Sequence, residues 1–487
     1  MDAVKGDFSL LRKKGARIYF IGIKGTGMCA LAELLQKKGV LVSGSDGDAV
    51  FYTDSILKEL KIPYHESFDA SHIDRSFDMV IYSAAYSFST NPEMDEAKRL
   101  GIPMYKYTDA LGAYSAGADS SGITGVHGKT TTTAIAGCII KGAGLPGEVL
   151  AGSEVAGFGG RSTLSLGGDF FVAETCEYRR HFLSFHPQRI ILTSVESDHQ
   201  DYYPEYSDIR DAFVEYGRLL PPGGELIYCA DDPGAGEVAE ILKKERNDIK
   251  FIPYGFSAEG EYKITAYEVK DERIVFTIKG FPGELKLRIP GKHTVLNTVG
   301  ALALVSSIAE KCGGWNEEKR EDVRKALEGF SGIRRRSEIL GERAGILFMD
   351  DYGHHPTEIK TTLSGLKEFY PKRRLIVSFM SHTYTRTASL LDDFAVSFNG
   401  ADMVFLHKIY SSAREKYEGG ITGITLYEKV KEKMSGNVFY IEEPDDSFDR
   451  IKSILRKGDL FITMGAGDNF RLGKKLFDSY SATGVSQ

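Results

Sequence analysis

The sequence predicts an α/β protein built from three domains, and three observations carry that expectation. The chain has 487 residues, which at about 100–200 residues per domain makes three a natural number. Short apolar runs alternate with stretches of helical spacing along most of its length. Two of the runs lead into glycine-rich turns that open helices, the pattern of nucleotide-binding α/β sheets.

The first domain begins with "ARIYFIGIKGTGMCALAELLQKKGVLVSGSD". Ile18 to Ile21 reads as a buried strand, and Met28, Leu31, Leu34 and Leu35 recur at helical spacing. "VLVSGSD" and "DMVIYSAA" (Asp78 to Ala85) are further strands. Together they predict a doubly wound domain over 1–114. The small, polar stretch Gly112 to Gly122 reads as its linker. The second domain, 115–331, opens with "GITGVHGKTTTTAIAGCII", a strand end, a loop and a helix. "DFFVAETCE", "RIILTSVESDH" and "ELIYCADD" follow as strands with polar C-terminal ends, where open α/β sheets hold ligands. Tyr262 to Ile289 alternates like a β-hairpin insertion, and "HTVLNTVGALALVSSIAEKCG" reads as a helix capped by Gly313. The third domain, 332–487, starts with "AGILFMDDYGHHPTEIKTTLSGLKEF" and adds the strands "RRLIVSF", "DMVFLHKIY", "NVFYIEE" and "DLFITMGAG".

Composition narrows the function. Hydrophobic residues are 42% and charged residues 26%, enough to build real cores. A net charge of −7 leaves no basic excess for nucleic acid. Cys29, Cys138, Cys176, Cys229 and Cys312 are widely separated and form no C-x-x-C pair, so they read as reduced thiols. No apolar run reaches the roughly 18 residues that span a bilayer, and the first residues lack a signal-peptide core. The expectation is a soluble cytoplasmic protein with no membrane insertion. Oligomeric state is not specified by any of these features.

Two loops carry the phosphate chemistry. In "GIKGTGM", Gly25, Thr26, Gly27 and Met28 open a helix, where backbone N–H groups receive a diphosphate. Asp46 ends the next strand, where Rossmann domains bind ribose. The bland alternative is a tight turn, and Lys24 is either a point charge for the diphosphate or a solvated lysine. The second loop, Gly125-Val126-His127-Gly128-Lys129-Thr130-Thr131, has a shorter glycine spacing than G-x-x-x-x-G-K-[ST]. Its glycines let N–H groups surround phosphate, Lys129 brings charge, and Thr130 offers a Mg²⁺ ligand. Threonines are poor helix formers, so a purely structural reading must explain four of them as caps. The loop points to ATP.

Acids follow at strand ends. Glu174 and Glu177 lie in "VAETCE", and Glu196, Asp198, His199 and Asp201 in "SVESDHQD". A lone strand-end acid is usually a cap, but two such clusters in one sheet favour a metal site. In the third domain His354, His355, His382 and Arg386 gather without tetrahedral zinc spacing. Each histidine alone reads equally as a cap or a satisfied surface residue. Arg334 to Arg336 reads as a solvated hinge face, or as a phosphate ground beside an ATP site.

Taken in order, "FIGIKGTGM", "GSD", "SAAYSFSTNPE", "GVHGKTTTT", "DHQDYY", "GKHTVLN", "DDYGHHPTEI", "YTRT" and "GAGDNF" resemble the Mur ligases over nearly the whole chain. The resemblance is nearest to the branch that adds L-alanine to UDP-N-acetylmuramate in peptidoglycan precursor synthesis. It implies a Rossmann-like UDP-binding domain, a P-loop ATPase-like central domain and a Rossmann-like C-terminal domain. It also implies ATP and Mg²⁺ as cofactors and an acyl phosphate as intermediate. By resemblance Thr130, Glu174 and His199 hold magnesium, with Lys129 on the transferring phosphoryl group. Asn297 and Asp351 look like nucleotide contacts, and His382 and Arg386 look suited to the alanine carboxylate and the acyl phosphate. Gly25 to Met28 and Asp46 would hold UDP. The competing readings are a ligase that returns a recycled tripeptide to the same nucleotide sugar, and a catalytically lapsed nucleotide sensor. The chain departs from the family pattern at Lys24, at Cys176 and Arg179 (acids in most relatives), and at Thr383 (often arginine).

Overall fold

The structure is a computed structural model and describes residues 8–88, 91–411, 417, 419–434 and 436–480. Ser89 and Thr90 of the "SAAYSFSTNPE" stretch lie outside the described residues. The chain packs as two compact units. The first comprises Met1–Val195, Arg210–Tyr254 and Gly300–Val323, and the second Glu196–Ile209, Gly255–Val299 and Arg324–Gln487.

Two parallel sheets organise the first unit. β1 (Arg17–Ile21), β2 (Leu41–Ser45), β3 (Tyr64–His65), β4 (Met79–Tyr82) and β5 (Met104–Lys106) form a sheet of order β3-β2-β1-β4-β5. Ile18 to Ile21 and Met79 to Ile81 are buried continuously, as strands covered on both faces must be. The helix Thr26–Lys37 turns Met28, Leu31, Leu34 and Leu35 inward, as its spacing predicts. Strand order reverses at β1 and β4, so the loops leaving these two strands diverge and open a crevice.

The second sheet contains β6 (Asp119–Thr124), β7 (Glu148–Val155), β8 (Arg161–Ser165), β9 (Phe170–Glu174), β10 (Arg189–Leu192), β11 (Glu225–Cys229) and β12 (Lys250–Tyr254). Its order is β12-β11-β10-β6-β9-β7-β8. Only β7 and β8 pair antiparallel. β6 runs on to β7 on one side while its neighbour β9 returns to β10 on the other, which makes a second crevice at their carboxyl ends.

The stretch 112–122 is not a linker. Helix Tyr107–Ala116 and strand β6 occupy it. Its small residues serve close packing rather than chain freedom. A Cβ on Gly112 would lie 2.0 Å from the Ser184 carbonyl oxygen, and one on Gly122 would lie 2.1 Å from the Tyr216 hydroxyl.

In the second unit, β13 (Ile264–Lys270), β14 (Arg273–Ile278) and β15 (Phe281–Leu287) make a three-stranded antiparallel meander, one strand more than the expected hairpin. The chain continues into helix Lys292–Lys311, whose residues from Gly300 on belong to the first unit, and Gly313 lies just beyond its end at φ +90°. β16 (Glu338–Arg343), β17 (Ile346–Asp351), β18 (Arg374–Phe379), β19 (Met403–Leu406), β20 (Asn437–Tyr440) and β21 (Asp459–Met464) form a sheet of order β16-β17-β21-β18-β19-β20. Phe348, Ile376, Phe405 and Phe461 from its central strands pack with Leu472 and Leu476 of helix Phe470–Asp478.

Candidate active site

In the first unit, the glycine turn after β1 places Gly25 at the start of helix Thr26–Lys37. The N–H groups of the first turn have no partner inside the helix and face an incoming anion. Gly25, Thr26, Gly27 and Met28 line a cavity of about 890 Å³ together with Tyr82 and Ser83 at the end of β4 and Glu174 to Cys176 at the end of β9. That is the switch-point crevice of the first sheet. Asp46 does not line it. Its carboxylate accepts the Lys24 and Gly47 N–H groups at 2.7 and 2.8 Å and the Tyr86 hydroxyl at 2.9 Å, and so braces the turn.

Lys24 is neither solvated nor aimed at the crevice. Its side chain is fully buried, and Nζ donates to the Gly47 and Ala49 carbonyls and to Glu66, with Asp54 3.2 Å away. Burial opposes its charge, but Glu66 and Asp54 hold its pKa above the ordinary lysine value. The lysine ties segment 47–54 to the glycine turn.

The second glycine loop follows β6. Gly125 has φ +135°, and a Cβ there would lie 2.1 Å from the Thr193 hydroxyl, so only glycine fits. Gly128 caps helix Lys129–Gly142 at φ +81°. The loop is fastened to the end of β10 through Val126 N–H to the Ser194 carbonyl at 3.0 Å and His127 N–H to Ser194 Oγ at 2.9 Å. Lys129 folds back over it. Its ammonium donates to the Gly125 carbonyl at 2.5 Å and the Val126 carbonyl at 3.1 Å and pairs with Glu177 at 3.0 Å. Burial works against this charge, and Glu177 outweighs it, raising the lysine pKa. Thr130 is buried in the first turn, with Thr131 half-buried beside it. Glu174, half-buried at the end of β9, accepts the Gly152 N–H at 2.9 Å. Cys176 is exposed to the cavity, whose walls and the Glu177 carboxylate push its thiol up to about 12. It is neutral at physiological pH.

The second unit gathers the third-domain residues with Asp198 and His199. Arg386, buried on helix Tyr384–Ser389, donates Nε and Nη2 to one Asp198 oxygen at 3.1 and 2.8 Å. Its Nη1 lies 3.2 Å from His382 Nδ1. Asp198 is buried, which disfavours its charge, yet the Arg386 guanidinium holds its carboxyl well below the usual range. Burial and then Arg386 push His354 down to about 3, so it stays neutral. Its ring lies edge-on to His382 at 5.5 Å. His199 takes a left-handed backbone, φ +54°, with its N–H on Asp198 at 2.7 Å.

His355 is a helix cap. Its Nδ1 accepts the Thr357 N–H, and Glu358 closes the capping box. Asp351, buried, accepts Ser337 N–H and Oγ–H and Gly353 N–H, while burial raises its carboxyl. Asn297 is buried on helix Lys292–Lys311. Of the arginine run, Arg334 is exposed, but Arg335 and Arg336 are not a solvated face. Arg335 donates to Asp350 at 2.9 Å and to the Gly465 and Gly467 carbonyls, and Arg336 pairs with Glu358 at 3.1 Å.

The structure brings Gly25 to Met28 and Glu174 to one cavity, and His199, His382 and Arg386 to one unit, whereas Thr130 and Glu174, which the sequence groups with His199, belong to the first unit. Glu177 and Asp198 stand out in the sequence, but nothing there assigns them as the partners of Lys129 and Arg386. The E-x-x-E spacing of Glu174 and Glu177 was the available signal for the first. For the second there was none, because 188 residues separate the partners.

This pairing of a nucleotide-type crevice with a lysine-bearing phosphate loop matches a known architecture. Models of the Mur ligase family catalytic domain, the Mur ligase middle domain and the Mur ligase glutamate ligase domain match residues 17–118, 123–305 and 335–467. The chain belongs to the Mur ligase family. It is 51% identical over 467 residues, 96% of this chain and 97% of the relative, to the UDP-N-acetylmuramate–L-alanine ligase of Treponema pallidum subsp. pallidum. It is 40% identical over 472 residues, 96% and 99% of the two chains, to the protein of that name from Borrelia garinii subsp. bavariensis. In fold it is similar to a UDP-N-acetylmuramate-alanine ligase from Thermotoga maritima, with TM-score 0.74 and 24% identity over 95% of this chain and 98% of the other. Among the described residues no helix is long and apolar enough to cross a membrane.

Proposed function

We infer that this chain is an ADP-forming ligase that joins L-alanine to UDP-N-acetylmuramic acid in peptidoglycan precursor synthesis. The observation that carries the reading is 51% identity to a ligase of that name across 96% of the chain. The geometry agrees with it. One cavity runs from a diphosphate-type helix N-terminus to Glu174 and Cys176, beside the residue that grips Lys129.

A carboxylate does not react with an amine, because oxide is too poor a leaving group. A lactyl carboxylate oxygen therefore attacks the γ-phosphorus of ATP, and ADP leaves. The alanine amine then attacks the acyl carbon, phosphate leaves, and the amine gives up a proton. Negative charge crowds together in the first step, so a fixed cation is worth most there. Lys129 is that cation in our reading, released from Glu177 to the phosphates. Gly125, Val126, His127, Gly128, Thr130 and Thr131 frame the phosphates, and Asn297 and Asp351 serve the rest of the nucleotide. Gly25, Thr26, Gly27 and Met28 take the diphosphate of UDP, with Asp46 shaping the turn that presents them. His382 and Arg386 receive the alanine carboxylate and the acyl phosphate. Arg386 suits the task because Asp198 already orients its guanidinium.

Mg²⁺ fits the donor set. Glu174 keeps carboxylate lone pairs beyond the one Gly152 N–H it accepts, and Thr130 adds a hydroxyl, the hard oxygen ligands this ion prefers. His199 is proposed as a further ligand on the family resemblance. The ion would neutralise phosphate charge. We propose domain boundaries at 1–114, 115–331 and 332–487, supported by the separate sheets β1–β5, β6–β12 and β16–β21. Five free cysteines suit a reducing, cytoplasmic setting. Mass analysis of a reaction containing ATP, Mg²⁺, UDP-N-acetylmuramate and L-alanine tests the assignment. It predicts one amide product per ADP, and ADP formed without amide contradicts it.

A further inference from the structure

Immediately after β9 the chain enters the short helical segment Tyr178–Ser184, where Arg179 and Arg180 both take left-handed backbone conformations, φ +51° and +59°. Such conformations cost an L-residue free energy, and two in succession persist only where the surroundings impose them. The surroundings here are clear. Phe182 N–H is bonded to the Cys176 carbonyl at 2.9 Å, and the Phe182 ring stacks on Tyr216 at 4.5 Å. Arg180 pairs with Glu215.

Arg179 has no comparable structural duty. It is exposed, lines the 890 Å³ cavity, and its only described side-chain contact is with the neighbouring Tyr178 ring, 5.3 Å away. No ion pair or hydrogen bond joins its guanidinium to a described residue. Lys106, across the same lining, is likewise without an ion pair among the described residues. An unpaired guanidinium held on a strained backbone beside a cavity suits an anion. The nucleotide sugar supplies two anionic groups, a diphosphate and a carboxylate.

We propose that Arg179 is a substrate-contacting residue that binds an anionic group of the nucleotide sugar, a specificity contact this chain makes with its own residue. The proposal rests on the ligase reading above. Losing one charge-assisted contact at a water-accessible site should raise the KM for UDP-N-acetylmuramate about tenfold in Arg179→Gln. KM for ATP and for L-alanine should hold, and Arg179→Lys should recover part of the loss. Arg179→Gly removes the backbone strain with the charge, so its Tm should equal or exceed that of the wild type while KM still rises.

The experiment is steady-state ADP release by the full chain and these three variants, with UDP-N-acetylglucosamine as a competitive inhibitor. That inhibitor carries the diphosphate and lacks the carboxylate. Inhibition weakened in parallel with substrate binding supports the proposal and assigns Arg179 to the diphosphate. Inhibition unchanged while KM rises supports it and assigns Arg179 to the carboxylate. An active wild type with unchanged KM in Arg179→Gln overturns the proposal, as does Arg179→Gly with lowered Tm and unchanged KM. A wild type that forms no ADP with this substrate overturns the ligase reading instead.

Discussion

Replacing Lys129 by methionine should damage stability and turnover separately, and the structure sets both magnitudes. The ammonium lies 3.0 Å from a Glu177 oxygen, with side-chain exposures of 13% and 2%. Removing one partner of a buried pair costs about 3–5 kcal/mol, because the other charge is stranded. Lys129 is not fully enclosed, so the low end, about 3 kcal/mol, applies. At about 2–4 °C per kcal/mol, the first unit should melt about 6–12 °C lower. Lys129→Met/Glu177→Gln should regain most of that loss, since no charge is then stranded. The folded lysine pKa is raised, so this contribution is present throughout the neutral range and lost only as pH climbs through that raised value. Turnover should fall at least about 10²-fold, the usual loss of a preorganised charge at a phosphoryl transition state, and the double variant should not regain it. Urea titration followed by circular dichroism and ADP release at saturating substrates read the two effects. A folded Lys129→Met enzyme working within tenfold of wild type would refute the catalytic argument. A stability change below about 1 kcal/mol would refute the pairing.

Glu174→Gln and His199→Ala should each raise the Mg²⁺ concentration needed for half-maximal activity, and superimposable titrations would make both residues structural. Cys176→Ser should keep most activity, because the thiol it replaces is neutral; a large kcat loss at unchanged Tm would assign the sulfur a role. His407 is buried with its ring nitrogens 2.8 Å from Ser378 Oγ and the Ile441 carbonyl, and burial lowers its pKa to about 4. Against about 6.5 unfolded, its contribution is intact above that pH and is lost as pH falls towards 4. The urea midpoint should therefore drop between pH 7.5 and 5, and His407→Gln should flatten that slope; parallel curves would contradict it.

What was legible in the sequence was local. A buried strand declares itself by a short apolar run, as Ile18 to Ile21 does, and a phosphate loop by glycines beside a lysine and threonines. What was not legible depends on distant partners. Nothing near Lys24 says that Asp54 and Glu66 will enclose it. Arg335 looks solvated until the chain returns 130 residues later to offer the Gly465 carbonyl. The stretch 112–122 misleads for a different reason, since small polar residues serve flexible linkers and tight packing equally well. Only the approach of Ser184 and Tyr216 decides between them. The alternation after Tyr262 fixes strand character and not strand number.

In the proposed reaction the acceptor is UDP-N-acetylmuramate and the incoming amine is L-alanine. The direct measurement is ADP release by the full chain with ATP, Mg²⁺ and UDP-N-acetylmuramate, as single amino acids and the tripeptide L-alanyl-γ-D-glutamyl-meso-diaminopimelate are added in turn. L-alanine should give the highest kcat/KM, and omitting the nucleotide sugar should abolish ADP release. A higher kcat/KM for the tripeptide, or ADP release indifferent to every amine, would contradict it.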